Sequence, residues 1–166
     1  MFNEHSLLAL IPARGGSKGL VDKNIMDCAG RPLIEWSILA AKDVDFFDDV
    51  LVSTDSKKIA AISINVGASV PFLRPDELST DSASLLNVAK HAWENYLTLN
   101  GERFEYVVIL QATSPLRMPS HIIAAIEIFF KKSKSKNDTL VSVNEIDKKY
   151  GWLMQSQNNS SYINFC

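Results

Sequence analysis

The stretch Leu7-Leu8-Ala9-Leu10-Ile11-Pro12-Ala13-Arg14-Gly15-Gly16-Ser17-Lys18-Gly19 decides the fold. An unbroken apolar run gives way to Pro12 and then to a glycine-rich loop. Such a run is the pattern of a parallel strand buried on both faces. In an open parallel sheet, ligands bind beyond the carboxyl ends of the strands, which is where this loop falls. Its glycines let backbone N–H groups come close to phosphate oxygens. Arg14, Lys18 and, a little further on, Lys23 can add charge-assisted contacts to a polyphosphate. One lysine alone would read as a surface residue. An arginine and two lysines around three glycines, directly after a first strand, read as an anion-binding loop. The spacing is neither G-x-G-x-x-G nor G-x-x-x-x-G-K-[ST], so the dinucleotide and Walker readings fit poorly.

Outward from this loop, strand and helix alternate. After Pro32, which suits a helix's first turn, Leu33, Ile34, Ser37, Ile38 and Ala41 share one helical face. Residues 49–54 (DVLVST) read as a second buried strand, 56–66 as a helix ending before Gly67, and 70–73 as a short extended piece. The next helix is expected over 83–97, with Leu85, Leu86, Ala89, Trp93 and Tyr96 facing inward. The segment 106–111 (YVVILQ) is uncharged and rich in β-branched residues, which predicts a central strand. A helix over 120–132 and a strand at 139–143 (TLVSV) complete the pattern. This order predicts an α/β fold with a mainly parallel sheet and helices on both faces.

The composition bounds the function. The 166 residues carry 17 Lys+Arg against 19 Asp+Glu, a net charge of −2, without the basic bias of a nucleic-acid binder. No apolar run reaches the ~18 residues that a membrane span needs. Residues 1–6 contain no Lys or Arg, so no secretory signal is expected. Cys28 and Cys166 are too few for a disulfide framework or a zinc cluster. A cytoplasmic protein is the expectation, with neither nucleic acid nor membrane as a partner. The basic stretch Lys131, Lys132, Lys134 and Lys136 reads as a solvated helix end. The polar run 155–161 and the apolar finish Tyr-Ile-Asn-Phe-Cys look like an interrupted domain, so one domain over 1–166, truncated at its C-terminal end, is expected.

Residues 11–24 (IPARGGSKGLVDKN) resemble the nucleotide-binding loop of the CMP-N-acylneuraminate synthetases, or acylneuraminate cytidylyltransferases. Three further segments match in order. Val52-Ser53-Thr54-Asp55 resembles that family's second strand and its acidic end. Residues 72–78 (FLRPDEL), continued to Asp81, resemble its RP-x-x-L-x-x-D segment, and 110–117 (LQATSPLR) resemble its LQPTSPLR motif. Four ordered matches are more specific than any one alone. The related Kdo cytidylyltransferases share the first strand and Pro-Ala-Arg, but Ser17-Lys18-Gly19 and Lys23-Asn24 fit the acylneuraminate branch better.

The resemblance implies a Rossmann-like nucleotidyltransferase fold and a reaction between CTP and a sialic-type sugar acid. The sugar's anomeric hydroxyl attacks the α-phosphorus, giving the CMP-sugar and pyrophosphate. Chemistry of this kind depends on in-line positioning and charge neutralisation. By the same resemblance, Arg14 and Lys23 hold the triphosphate and stabilise the transition state. Gly16, Ser17 and Lys18 line the phosphates, Asn24 and Arg74 contact the nucleotide, and Ser84 is a weak candidate for the cytosine. Gln111 faces the sugar, with Thr113, Ser114 and Arg117 shaping that side.

Structural alternatives stand beside several of these roles. Arg74 could be a turn arginine, Gln111 a strand cap, and Arg117 a partner for Asp81 or Glu77. Asp55 is expected to cap the following helix. The sequence makes no partner evident for the histidines His5, His91 and His121, and they receive no catalytic role. Trp36, Trp93 and Trp152 read as packing residues.

Two departures from the family stand out. Ala112 replaces the usual proline, and no Asp-x-Asp pair follows the LQATSPLR segment. Magnesium, which the family implies, therefore lacks its carboxylate ligands in this chain; Asp43 and Asp45 have the spacing but read as solvated loop acids. A homodimer is implied as well. The rival expectations are a non-catalytic nucleotide-binding fragment, or a cytidylyltransferase for Kdo, pseudaminate or legionaminate.

Overall fold

The computed structural model describes residues 2, 4–16, 19–101, 104–135 and 137–143. Ser17 and Lys18 of the loop, Trp152 and the apolar finish at 162–166 lie outside the described residues. The chain divides into two compact units, Met1–Pro119 and Ser120–Cys166.

In the first unit, strand β1 (Leu7–Pro12) is the centre of a three-stranded parallel sheet in the order β2-β1-β3. Strand β2 (Asp49–Ser53) pairs with it from Leu8↔Asp49 to Pro12↔Ser53, and β3 (Tyr106–Ile109) from Leu7↔Tyr106 to Leu10↔Ile109. The apolar run of β1 is buried because side chains alternate between two covered faces. On one face Leu8, Leu10 and Leu51 join Ala89, Ala92 and Tyr96 of helix α3 (Leu85–Asn100), with Trp93, Val107 and Ile109 packed against them. On the other face Leu7, Ala9 and Ile11 are equally buried. Helix α1 (Leu33–Lys42) contacts β1 and β2 and buries Ile34, Ile38 and Ala41, the spacing expected of it. Leucines buried to this degree each contribute about 1.5–3 kcal/mol. The sheet is thus a parallel α/β sheet with helices on both faces.

Helix α2 (Lys57–Val66) is capped by Ser56, whose hydroxyl accepts from the Ile59 N–H, and ends at Gly67 in the left-handed region. Asp55 is therefore not the cap that local sequence suggested. Of the extended piece near 70–73, only a bridge from Ser69 to Leu51 joins the sheet edge. Leu86, expected to face inward, is 75% exposed, because the inward stripe of α3 begins with Val88 and Ala89. His5 Nδ1 lies 2.6 Å from Glu105 Oε2, a hydrogen-bonded pair not visible in sequence. Trp36 and Trp93 donate their ring N–H groups to the carbonyls of Cys28 and Phe104.

In the second unit, α4 (Pro119–Lys132) is followed by a turn closed by Asp138. Its carboxylate accepts from the Lys134 and Ser135 N–H groups at 2.6 and 3.1 Å, which holds its pKa below the usual carboxylate range. The expected strand at 139–143 does not form, and Val141 and Val143 are exposed. Strand propensity needs a neighbour to pair with, and 139–143 has none among the described residues. No helix among the described residues is long and apolar enough to cross a membrane.

Candidate active site

The order β2-β1-β3 means that the chain leaves β1 to one side and returns on the other. The carboxyl ends of β1 and β3 therefore part around a crevice, the topological switch point at which α/β sheets bind ligands. A cleft of about 280 Å³ opens there. Arg14, Lys23, Asn24 and Arg74 form its polar side, Leu78, Ala83, Leu85 and Val88 an apolar side, and Gln111, Ala112 and Thr113 the side next to β3.

The loop after β1 is built onto the end of β2. The Ala13 N–H donates to the Ser53 carbonyl at 3.0 Å, extending the sheet by one bond. The Gly15 N–H then donates to Asp55 Oδ1 at 2.9 Å. A Cβ at Gly15 would stand 3.0 Å from Ser56 Cβ, so only glycine allows this approach without displacement. Beyond the loop, Asp22 takes a left-handed conformation (φ 53°), which Asp tolerates better than most residues, and starts a 3-10 turn over Lys23–Ile25. This turn brings Lys23 to the cleft and buries Asn24, whose side-chain amide donates to the Arg14 carbonyl at 2.9 Å.

Two arginines share the cleft on different terms. Arg74 is only 5% exposed. Its N–H donates to the Thr54 carbonyl at 2.7 Å, its Nε donates to Ser79 Oγ at 3.2 Å, and a terminal nitrogen lies 4.0 Å from Asp55 Oδ1. Burial pushes the Arg74 pKa down; Asp55 opposes that shift, and Arg14 adds to it. Arg14 reaches across the cleft to the Asp81 carboxylate, where sequence had offered Asp81 to Arg117. Arg117 instead donates to the Gln111 carbonyl at 3.2 Å, which also accepts from Ser37 Oγ at 3.2 Å. Burial pushes the Arg117 pKa down as well. These bonds hold the backbone of Gln111 and leave its side chain exposed in the cleft.

Of the residues singled out in sequence, Arg14, Lys23, Asn24, Arg74, Gln111 and Thr113 come together around the cleft. Gly16 and Ser84 are exposed and do not line it, although Ala83 and Leu85 on either side of Ser84 do. Ser114 and Arg117 stand behind Gln111. Sequence reasoning missed the employment of Asp55 and Asp81. Among the described residues no three His, Cys, Asp or Glu side chains gather as a metal site. The two carboxylates nearest the cleft's arginines are already engaged by Gly15, Arg74 and Arg14. The described residues thus do not fit a protein-held magnesium ion, and no step below runs through one.

A crevice at the switch point of a parallel sheet, lined by cations from three separate segments, defines an α/β protein with a cationic ligand cleft. The chain belongs to the cytidylyltransferase family, whose pattern it matches over residues 8–158. It is 40% identical over 146 residues to the CMP-N,N'-diacetyllegionaminic acid synthase of Legionella pneumophila, covering 88% of this chain and 61% of that protein. It is 39% identical over 142 residues to the N-acylneuraminate cytidylyltransferase of Escherichia coli, covering 86% of this chain and 32% of that one. The chain thus spans less than two thirds of the length of either relative. In fold it is similar to a CMP:2-keto-3-deoxy-manno-octonic acid synthetase complexed with CTP, with a TM-score of 0.63 at 20% identity over 76% of this chain and 48% of that chain.

Proposed function

We propose that the cleft binds CTP and that the whole protein transfers its CMP moiety to a nonulosonic acid. In this reading Arg14 and Lys23 grip the triphosphate and neutralise charge that develops on the leaving pyrophosphate. Gly16, Ser17 and Lys18 complete the phosphate cradle. Arg74 and Asn24 face the nucleoside side, and Ser84, the candidate for the cytosine, stands between Ala83 and Leu85 of the lining without lining the cleft itself. Gln111 and Thr113, backed by Ser114 and Arg117, face the sugar. The anomeric hydroxyl attacks the α-phosphorus and releases its proton to solvent, the bond from that phosphorus to the bridging oxygen breaks, and pyrophosphate leaves. The groups named here supply position and charge, which is most of what phosphoryl transfer asks of a protein. The homodimer and the magnesium ion implied by the family resemblance are carried as parts of the same whole-protein proposal, as is a single nucleotidyltransferase domain.

One observation carries the reading: Arg14, Lys23 and Arg74 converge beyond the end of β1 in a chain of the cytidylyltransferase family. The test is thermal protection. CTP at 100 times its Kd stabilises the folded state by about 2.7 kcal/mol, and ATP and GTP at equal concentration are expected to give much less. Equal shifts with all three nucleotides would remove cytidine from the reading. The rival, a nucleotide-binding module without turnover, draws on the lack of a carboxylate cluster among the described residues. Pyrophosphate release from CTP and an acylneuraminate, assayed on a protein of the relatives' full length, separates the two.

A further inference from the structure

Asp55 lies two residues beyond the end of β2 and directly before Ser56, the cap of helix α2, which leaves the Asp55 carboxylate for other work. Its Oδ1 accepts from the Gly15 N–H at 2.9 Å and faces a terminal nitrogen of Arg74 at 4.0 Å. The residue before it, Thr54, accepts from the Arg74 N–H at 2.7 Å. Two adjacent residues thus hold Arg74 by main chain and side chain. One oxygen is also shared between the phosphate loop and the guanidinium. Without that charge, a nearly buried arginine beside the cation of Arg14 would keep only the neutral Ser79 hydroxyl as a side-chain partner among the described residues. Burying an unpaired charge is costly, so such a guanidinium would turn away from the cleft.

We propose that Asp55 is a positioning residue for nucleotide capture. Its carboxylate fastens the first turn of the phosphate loop to Arg74, so that loop amides and guanidinium meet the nucleotide as one preformed unit. The inference rests on the CTP reading above and assigns Asp55 no contact with substrate.

The test measures CTP binding by calorimetry, and steady-state kinetics, on a protein of the relatives' full length. Asp55→Asn keeps an oxygen for the Gly15 N–H and removes the charge beside Arg74. It is expected to weaken CTP about tenfold and raise the KM for CTP while leaving the KM for the sugar acid unchanged. Gly15→Ala keeps the charge but sets a Cβ 3.0 Å from Ser56 Cβ, displacing the loop from the other side; a similar loss is expected. If Asp55 acts through Arg74, then Asp55→Asn adds less than about twofold on an Arg74→Ala background. CTP binding within about twofold of the unsubstituted protein in both single variants overturns the inference, as does a full tenfold loss that persists without Arg74. Should Asp55→Asn fail to fold, Gly15→Ala carries the decision. Absence of CTP binding by the unsubstituted protein overturns the nucleotide reading and this inference together, which distinguishes the two failures.

Discussion

Arg74 and Arg14 line the same cleft, yet their surroundings are opposites. Arg74 is fixed by a backbone bond, a serine and the carboxylate of Asp55, whose side chain is 22% exposed at the edge of the sheet. Arg14 is held by Asp81, whose side chain is 40% exposed on the loop ahead of α3. The inner pair is part of the scaffold and is expected to stay in place when a ligand arrives. The outer pair is a contact that an incoming polyanion can replace, since exposed ion pairs are worth only about 0.2–1 kcal/mol. Lys23 completes the series, with no ion pair among the described residues. One cleft therefore presents a cation that is built in, one that is provisionally held and one that is uncommitted.

Removing the uncommitted cation is expected to have the largest consequence. In a protein of the relatives' full length, Lys23→Ala should lower the rate of pyrophosphate release by about 100- to 1,000-fold, as loss of one charge-stabilising donor does elsewhere. Denaturant midpoints should stay near those of the unsubstituted protein. Near-normal turnover would make Lys23 a surface residue.

The inner and outer arginines should separate next, this time in stability. Arg74→Ala strands the Asp55 carboxylate. It is expected to cost about 2–3 kcal/mol, below the ~3–5 kcal/mol for fully buried pairs because Asp55 keeps some access to water. Arg14→Ala should cost less than about 1 kcal/mol. Equal midpoint shifts in urea would erase the distinction.

Arg74→Lys sharpens it further through pH. Burial disfavours the cation at this position, so a lysine there should titrate below its ordinary value of about 10.4. As pH rises through that lowered value, two effects of opposite sign are expected. The burial penalty is relieved and stability rises, because the unfolded chain then binds more protons than the folded one. CTP affinity falls as the charge is lost. The unsubstituted protein should show neither limb over the same range, which nucleotide titrations above neutral pH would reveal.

Much of this architecture was legible because its cues are local or ordered along the chain. A strand buried on both faces must be apolar throughout, so β1 announces itself in residues 7–11, and the loop after it must lie at the sheet's carboxyl edge. What escaped depends on pairings distant in sequence. Asp55 before Ser56 has the local look of a helix cap; only the register of β2 against β1, with Pro12 opposite Ser53, brings it alongside Gly15, 40 residues earlier. The Arg14–Asp81 pair spans 67 residues and leaves no periodic trace. Residues 139–143 show the converse failure, since β-propensity names a candidate strand without supplying its neighbour. Leu86 fell to periodicity read one turn too early: the stripe that α3 buries starts at Val88.

The smallest expected effect is the one whose sign tests the contrast most directly. If Asp81 is a provisional partner, it competes with the triphosphate for Arg14, and Asp81→Asn should tighten CTP binding. Losing an exposed pair worth about 0.2–1 kcal/mol corresponds to a gain of about 1.4- to 5-fold in affinity. Screening should shrink the gain as salt rises, because the Debye length falls from about 10 Å at 0.1 M to about 3 Å at 1 M. Asp55→Asn should change the same affinity in the opposite direction and depend less on salt, since its partner arginine is shielded from solvent. Two acids, each beside one arginine of one cleft, would then respond to the same chemical change with opposite signs. That outcome follows only if one carboxylate organises the site and the other merely occupies it. Weaker CTP binding in Asp81→Asn would mean that Asp81 orients Arg14 for the ligand, and the outer pair would have to be reclassified with the inner one.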